Sequence, residues 1–296
     1  MNISFLYARL PKDVWNTSIA LQREFEAVGH KTKCYSSMNL QEKYTEDGLK
    51  QLLQEARDGT FVPDVIINFD YGMFRSPLLA KSQFSSAKWI LESGDDPQSF
   101  GYNHQKAFSG KFDFIISPDI RCVQQYTNEG YKAMWFPHFA DTAMYPEKVY
   151  SIEPDLDAVC TRDVSDKFFQ QVRSRLGTRF DTRSGLHALE HSSYLRRGKI
   201  VLQNSQYKEI TRRIFEGMLA NRMVIADRPD KDTRIDLIFK EGEEIVYFDS
   251  LDDCIDKVNY YASHDEERLK IAQAGFNKVS KYHTATARVK SLLKFL

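Results

Sequence analysis

The stretch Glu209-Ile210-Thr211-Arg212-Arg213-Ile214-Phe215-Glu216-Gly217-Met218-Leu219-Ala220 joins an apolar stripe to charges placed to do chemistry. Ile210, Ile214 and Met218 recur at i, i+4 and i+8, with Phe215 and Leu219 beside them, which predicts a core-facing helix over residues 209–221. At about 100° per residue, Glu209, Arg213 and Glu216 fall within about 60° of one another on the opposite face. A carboxylate and a guanidinium one turn apart suit the two halves of a nucleotide. The carboxylate accepts from both ribose hydroxyls, and the guanidinium grips phosphate oxygens as a fork. The helix N-terminus adds a partial positive charge toward a diphosphate. The same spacing also makes an ordinary solvated Glu209–Arg213 pair at i, i+4, and spacing alone does not separate the two readings.

The elements that must position these groups alternate along the chain. Residues 2–7 form a short apolar run, residues 17–28 read as a helix, and residues 31–35 resume as a strand, a βαβ start that argues for a parallel sheet. Further buried-strand patterns lie at 64–69, 88–91, 112–117 and 133–136. The first three of these end in polar residues, where parallel sheets host ligands. The run Glu92-Ser93-Gly94-Asp95-Asp96-Pro97 is the most acidic of these ends, although Asp and Ser ahead of proline are also ordinary turn chemistry. Prolines and short polar turns after residue 136 place a domain boundary near residue 145, giving domains 1–145 and 146–296. In the second domain, strands are expected at about 156–161, 199–203, 223–226 and 244–248, and a helix at 166–176. Helices at 251–263, 265–282 and 284–295 close the chain, and the last of them are expected to pack back on the first domain.

Composition sets the outer bounds. With 296 residues and 42% hydrophobic residues, the chain is globular and long enough for two cores. No apolar run approaches the roughly 20 residues needed to span a bilayer. The N-terminus reads as a first strand rather than a signal peptide, so a cytoplasmic protein is expected. Cys34, Cys122, Cys160 and Cys254 are spaced for neither a disulfide framework nor a zinc site. The net charge is zero, so no global field draws the chain to nucleic acid or to an acidic membrane. Between Arg162 and Arg213, however, 12 Lys and Arg stand against 5 Asp and Glu, a local surface for phosphates.

From Tyr194 to the C-terminus the chain resembles glycosyltransferases of the GT-B fold. It is most similar to the spore-maturation CgeB-like group within the family 4-like (group 1) clan. The residues carrying the resemblance are Tyr194, Lys199-Ile200-Val201-Leu202, Ser205 and Arg213 to Ala220, then Phe239 to Val246, Ile271 to Gly275, His283-Thr284 and Arg288. The resemblance implies two Rossmann-like domains with parallel sheets facing across a cleft and a helical C-terminal tail. The first domain would take the acceptor and the second a nucleotide-sugar, with a UDP-sugar as the expected donor. Glu216 would bind the donor ribose and Arg213 the diphosphate. Ser205 and Gln206 would lie where the loop approaches the donor. Arg162, with Lys167 behind it, would add a second cation, so no metal and no obligatory cofactor is expected. His138, in the interdomain segment, would reach the cleft or pack in the hinge. In the clan a first glutamate precedes the second by eight positions; here that position is Lys208, and Glu209 is one place off. No GxGxxG follows the first strand, which disfavours other Rossmann-like enzymes.

The implied activity is transfer of a hexose or pentose from a nucleotide-sugar to a hydroxyl of a glycan, protein, small molecule or modified DNA. An inverting enzyme needs a general base, for which Asp95 is expected first and Glu92 second, with Asp96 beside them; a retaining enzyme needs none. The loop after the first strand, with Arg9, Lys12 and Trp15, would shape the acceptor pocket. The segment Arg213 to Met218 is also similar to the donor helix of phage DNA glucosyltransferases, which act on hydroxymethylated pyrimidines. The alternatives are therefore a DNA-modifying transferase and a non-catalytic nucleotide-sugar-binding partner.

Overall fold

The structure is a computed structural model describing residues 1–7, 17–35, 46–69, 84, 86–110 and 112–296. The acceptor-loop residues Arg9, Lys12 and Trp15 lie outside the described residues. The chain divides into two compact units, Met1–Pro137 and His138–Leu296.

The first unit alternates strictly. Its elements are β1 (Asn2–Leu6), α1 (Thr17–Ala27), β2 (Lys31–Tyr35), α2 (Glu46–Arg57), β3 (Val65–Phe69), β4 (Lys88–Glu92), α3 (Phe100–Gly110), β5 (Phe114–Ser117), α4 (Ile120–Asn128) and β6 (Ala133–Trp135). The described strands form one parallel sheet in the order β2-β1-β3-β4-β5-β6. All five residues of β3 are buried, as expected of a strand covered on both faces. Trp89, Ile66, Leu91 and Ile115 pack into one cluster beneath the helices. Gly29 and Gly130, at φ 87° and 88°, take the left-handed conformation that turns the chain out of α1 and α4.

The second unit opens with α5 (Glu147–Tyr150), β7 (Leu156–Cys160), α6 (Lys167–Leu176), β8 (Phe180–Thr182), α7 (Ala188–Arg197) and β9 (Gly198–Gln203). It continues with α8 (Arg212–Leu219), β10 (Met223–Asp227), β11 (Val246–Phe248), α9 (Leu251–Ser263), α10 (Asp265–Tyr282) and α11 (Ala285–Leu292). Its sheet is parallel, in the order β11-β10-β9-β7-β8. Counted from each unit's own first strand, both sheets run second-first-third-fourth-fifth, so both are wound alike, and the order reverses between β1 and β3 and between β7 and β9. Helix α8 lies hard on this sheet: a Cβ at Gly217 would come within 2.9 Å of Val224 and 3.0 Å of Val201. A Cβ at Gly275 would come 2.8 Å from the Glu244 carbonyl and 3.2 Å from Met218, so α10 approaches α8 closely. The C-terminal helices group with this unit, where Arg288 Nη2 donates to His138 O at 2.9 Å and Ala140 N donates to His283 O at 3.0 Å.

Two expected features differ. Helix α8 begins at Arg212, with Thr211 extended at its N-cap (φ −84°, ψ 155°), so Glu209 is not helical. Ile210 extends the apolar stripe backward because it is buried just ahead of the cap, while Phe215 is buried at the fourth helical position, the pair of places a hydrophobic staple joins. Helix α7 and strand β8 occupy stretches for which the sequence pattern predicted no element.

Candidate functional site

In the second unit the sequence-predicted donor residues converge at the carboxyl ends of β7 and β9, the point where the strand order reverses. Arg162 follows β7, and its Nη2 donates to Asn204 O, after β9, at 3.4 Å. Arg213, in the first turn of α8, donates through Nε to Thr161 O at 3.1 Å. Thr182 Oγ1 at the end of β8 donates to Arg162 O at 2.8 Å. Three loops and one helix N-terminus are thus tied together around two guanidiniums.

The loop between β9 and α8 is held by Asp227, buried at the end of β10. Its carboxylate accepts from Ser205 N and Ser205 Oγ, each at 2.7 Å, and from Lys208 Nζ at 3.2 Å. Lys208 is left-handed at φ 53°, a conformation costly for a residue with a Cβ, and Asp230 N donates to its carbonyl at 2.9 Å. Glu209 turns back on this loop, its Oε2 accepting from Tyr207 N at 2.7 Å. The Glu209–Arg213 pair that helical spacing predicts is therefore replaced by a local turn. Gln206 is exposed on the same loop, and Lys167 is exposed at the first position of α6.

Three polar groups at this edge are buried without a hydrogen-bond partner among the described residues. They are Thr211 Oγ1, which caps nothing, Arg162 Nε, and both amide atoms of Gln203 at the end of β9. Buried polar atoms are almost always satisfied, so such a cluster marks a place built to meet a polar group.

Glu216 lies one turn into α8 and is only 8% exposed. Arg212 Nε donates to its Oε1 at 3.0 Å, and His191 Nε2, from α7, stands 3.7 Å from its Oε2. Burial alone would raise the carboxyl. The guanidinium of Arg212, then His191 and Arg213, outweigh it and hold Glu216 below the ordinary carboxylate value. Burial pushes His191 below its ordinary value against the pull of Glu216. His138 feels the same cluster: burial, then Arg212, push it down to about 3, which keeps it neutral. Tyr145 OH donates to the Glu216 carbonyl at 2.9 Å, adding support from the backbone side. Sequence reasoning missed Arg212, His191, Thr211 and Asp227. The Arg212–Glu216 spacing of i, i+4 was a visible signal, whereas nothing in the sequence pairs His191 with Glu216.

The acidic run of the first unit divides. Glu92 ends β4 at 5% exposure, and its carboxyl lies over Gly94, where a Cβ would come within 2.6 Å of Oε1. Asp95 is exposed, with its carbonyl accepting from Ser99 N at 2.8 Å. Asp96 is buried and accepts from Ser93 Oγ at 2.7 Å, Ser117 Oγ at 2.8 Å and Asn103 Nδ2 at 3.1 Å. Burial raises Asp96 above the ordinary value despite these bonds.

The basic run between Arg162 and Arg213 is largely paired. Arg173 meets Asp181 at 2.8 Å, Arg175 meets Asp252 at 2.9 Å, Arg179 meets Asp157 at 3.0 Å and Arg197 meets Asp155 at 2.6 Å. Among the described residues, no group of three or more His, Cys, Asp or Glu is placed to hold a metal ion, and no helix is long and apolar enough to cross a membrane.

Residues 162–294 match the family model described as glycosyl transferase-like. No curated protein matches the chain by sequence. Among solved structures, the chain is similar to a glycosyltransferase from Rickettsia africae, with 12% identity, 99% of this chain and 97% of that one covered, and a TM-score of 0.63. It is also similar to sucrose-phosphate synthase from Thermosynechococcus elongatus, with 9% identity, 100% of this chain and 98% of that one covered, and a TM-score of 0.69. A third similar structure is HepE of Anabaena in complex with UDP-glucose, at 11% identity, 100% coverage of both chains and a TM-score of 0.66. The chain therefore has the fold of GT-B glycosyltransferases, and residues 162–294 are similar to the glycosyl transferase-like family.

Proposed function

We propose that the chain transfers a sugar from a nucleotide-sugar, with a UDP-sugar as the expected donor, to a hydroxyl acceptor, and that the donor binds in the second unit. The observation that carries this reading is the cluster at the carboxyl ends of β7 and β9. The Thr211 hydroxyl, which makes no hydrogen bond, and Arg162, whose Nε lies 3.8 Å from Asp166, stand with Arg213 at the N-terminus of α8, and the ionised Glu216 lies one turn further on. A diphosphate would satisfy the donors and take the helix dipole, while a ribose diol would meet the carboxylate. The bound UDP-glucose of HepE supports the choice of donor class.

Sugar transfer breaks the bond between the anomeric carbon and the diphosphate, and negative charge grows on the leaving oxygens. Arg162, Arg213 and the N-terminus of α8 would stabilise that charge where it develops, which removes the need for a divalent ion. Asp95, or Glu92, would take the proton of the acceptor hydroxyl if the enzyme inverts. The resemblance between Tyr194 and the C-terminus supports placement in the CgeB-like group. The unpaired thiols of Cys122, Cys160 and Cys254 support a cytoplasmic location. The pairing of the basic run supports a compact acceptor over duplex DNA, because a polyanion needs unpaired cations along its path.

The test is a thermal-shift screen with UDP, GDP, ADP, CMP and their sugar conjugates, repeated after chelation with EDTA. A ligand at about 100 times its dissociation constant adds roughly 2.7 kcal/mol of apparent stability. A shift with one nucleotide, unchanged by EDTA and lost in Arg213→Ala, is the expected result. The absence of any shift would remove the donor assignment.

A further inference from the structure

The C-terminal half of α8 is held from outside the helix. Asn221, left-handed at φ 51°, turns the chain so that Arg222 N donates back to Gly217 O at 3.2 Å, a Schellman-type ending. Carbonyls beyond the reach of the helix are met by side chains. Tyr150 OH donates to Leu219 O at 3.1 Å, and Arg196 Nη1 donates to Ala220 O at 3.0 Å. Tyr145 OH reaches further in, to Glu216 O at 2.9 Å.

The two phenols belong to one short segment, and two guanidiniums fasten that segment to the ends of α7 and α8. Arg196, in the last turn of α7, donates through Nη2 to the carbonyls of Tyr150 and Ile152. Arg222, just past α8, donates through Nη2 to Ile152 O at 3.0 Å and to Arg196 O at 2.7 Å. Both arginines are buried, and the C-termini of α7 and α8 supply the negative dipole ends that suit a buried cation. The ring of Tyr150 also packs edge-on against Phe276 of α10, with centroids 5.9 Å apart. Residues 145–152 therefore form a fixed bracket along the C-terminal half of α8.

One bond of this bracket differs from the others. Leu219 O has no helical donor, so the Tyr150 hydroxyl satisfies an orphan carbonyl. Glu216 O already accepts from Ala220 N at 2.9 Å, so the Tyr145 hydroxyl adds direction at a carbonyl whose helical bond is made. It does so at the one residue of α8 whose side chain is a buried carboxylate, held on Arg212. A phenol from 71 positions away thus pins the backbone of the residue that the nucleotide is to meet.

We propose that Tyr145 is a positioning residue for Glu216: its hydroxyl fixes α8 at the Glu216 carbonyl and so holds the carboxylate in place for the nucleotide. The proposal rests on the donor reading given above. Tyr150, three residues further along α8, anchors the helix end and has no such role.

The test is a calorimetric titration of the full chain with UDP, GDP and ADP, repeated with whichever binds on Tyr145→Phe, Tyr150→Phe, Glu216→Gln and the double variant Tyr145→Phe/Glu216→Gln. Urea unfolding of each variant reads stability separately. Tyr145→Phe keeps the ring and should weaken nucleotide binding about fivefold, the worth of one hydrogen bond. Tyr150→Phe should lower the urea midpoint and change affinity by less than about twofold. In the Glu216→Gln background the loss from Tyr145→Phe should shrink to less than about twofold, because the hydroxyl acts through the carboxylate already removed. An equal loss in both backgrounds means a purely structural tyrosine and overturns the proposal. Unchanged affinity in Tyr145→Phe, or an equal loss in Tyr150→Phe, also overturns it, and each of these results leaves the donor reading intact. If no nucleotide binds the wild-type chain, the donor reading falls and the proposal with it.

Discussion

Asp96 and Glu216 are both enclosed carboxylates near the carboxyl ends of strands, in two sheets wound in the same order, yet their pKa values shift in opposite directions. Asp96 is met by two hydroxyls and one amide, all neutral, while Asp119 nearby adds to the upward push. Burial therefore wins, and its pKa rises. Glu216 is met by Arg212, with Arg213 and His191 close by, and the cationic surroundings win over the same cost of burial. Enclosure alone does not decide whether a carboxylate stays ionised; the charge of its neighbours does. The first unit thus holds a carboxyl raised by burial inside a hydrogen-bonded turn, and the second holds one lowered by the cations around it.

The largest expected effect comes from breaking the second half of this contrast. Glu216→Ala should weaken nucleotide binding by about 3 kcal/mol, more than a hundredfold, because it leaves Arg212 facing a buried gap. Titration calorimetry reads this directly. In the wild-type chain the stabilisation from Glu216 is present above its unfolded value, about 4.3, and is lost as pH falls through its lower folded value, which urea unfolding between pH 3 and 7 would follow. Next in size, Asp95→Asn should lower kcat about a hundredfold without changing nucleotide affinity, if the exposed acid beside Asp96 is the base. A normal kcat in Asp95→Asn, with a depressed one in Glu92→Gln, would move the role to Glu92.

Asp96→Asn sharpens the other half. It should destabilise the fold by about 1–2 kcal/mol, since an amide oxygen replaces only one of two acceptors, and leave nucleotide affinity unaltered. The pH signature has the opposite sign to that of Glu216. The contribution of a raised carboxyl is complete below its unfolded value, about 3.9, and fades as pH rises through the folded value, so the variant should flatten that slope. The smallest effect belongs to the surface. Arg175→Ala breaks a pair whose members are 51% and 76% exposed, and should change unfolding free energy by less than about 0.5 kcal/mol. A larger change would mean that the paired basic run is more than a solvated face.

Much of the architecture was legible in the residues. The apolar runs that became β3, β4, β7, β9 and β10 are short and punctuated by polar ends, and local pattern suffices for such strands. The sequence also singled out Arg162, Arg213 and Glu216, which the fold brings to one edge of one sheet. It did not reveal α7, in which only Leu189, Tyr194 and Leu195 are large and apolar, and His191 was lost with it. Nor did it resolve which arginine faces Glu216. Arg212 at i−4 and Arg213 at i−3 both lie within reach on a helix, and the choice is made by Thr161 O, which takes Arg213 from 52 positions away in the chain.

The sequence by itself determined the alternating α/β order, the apolar face of α8 and the charge types carried on its other side. These follow from interactions within a few residues, where period and residue type are sufficient. Only the tertiary structure decided where α8 begins, because the loop before it is bound by Asp227 on the next strand and passes through a left-handed Lys208. It alone decided that the carboxyl of Glu216 is shifted below the ordinary value while that of Asp96 is shifted above it. A pKa depends on burial and on charges gathered from distant segments, and for Glu216 one of these, His191, comes from another helix.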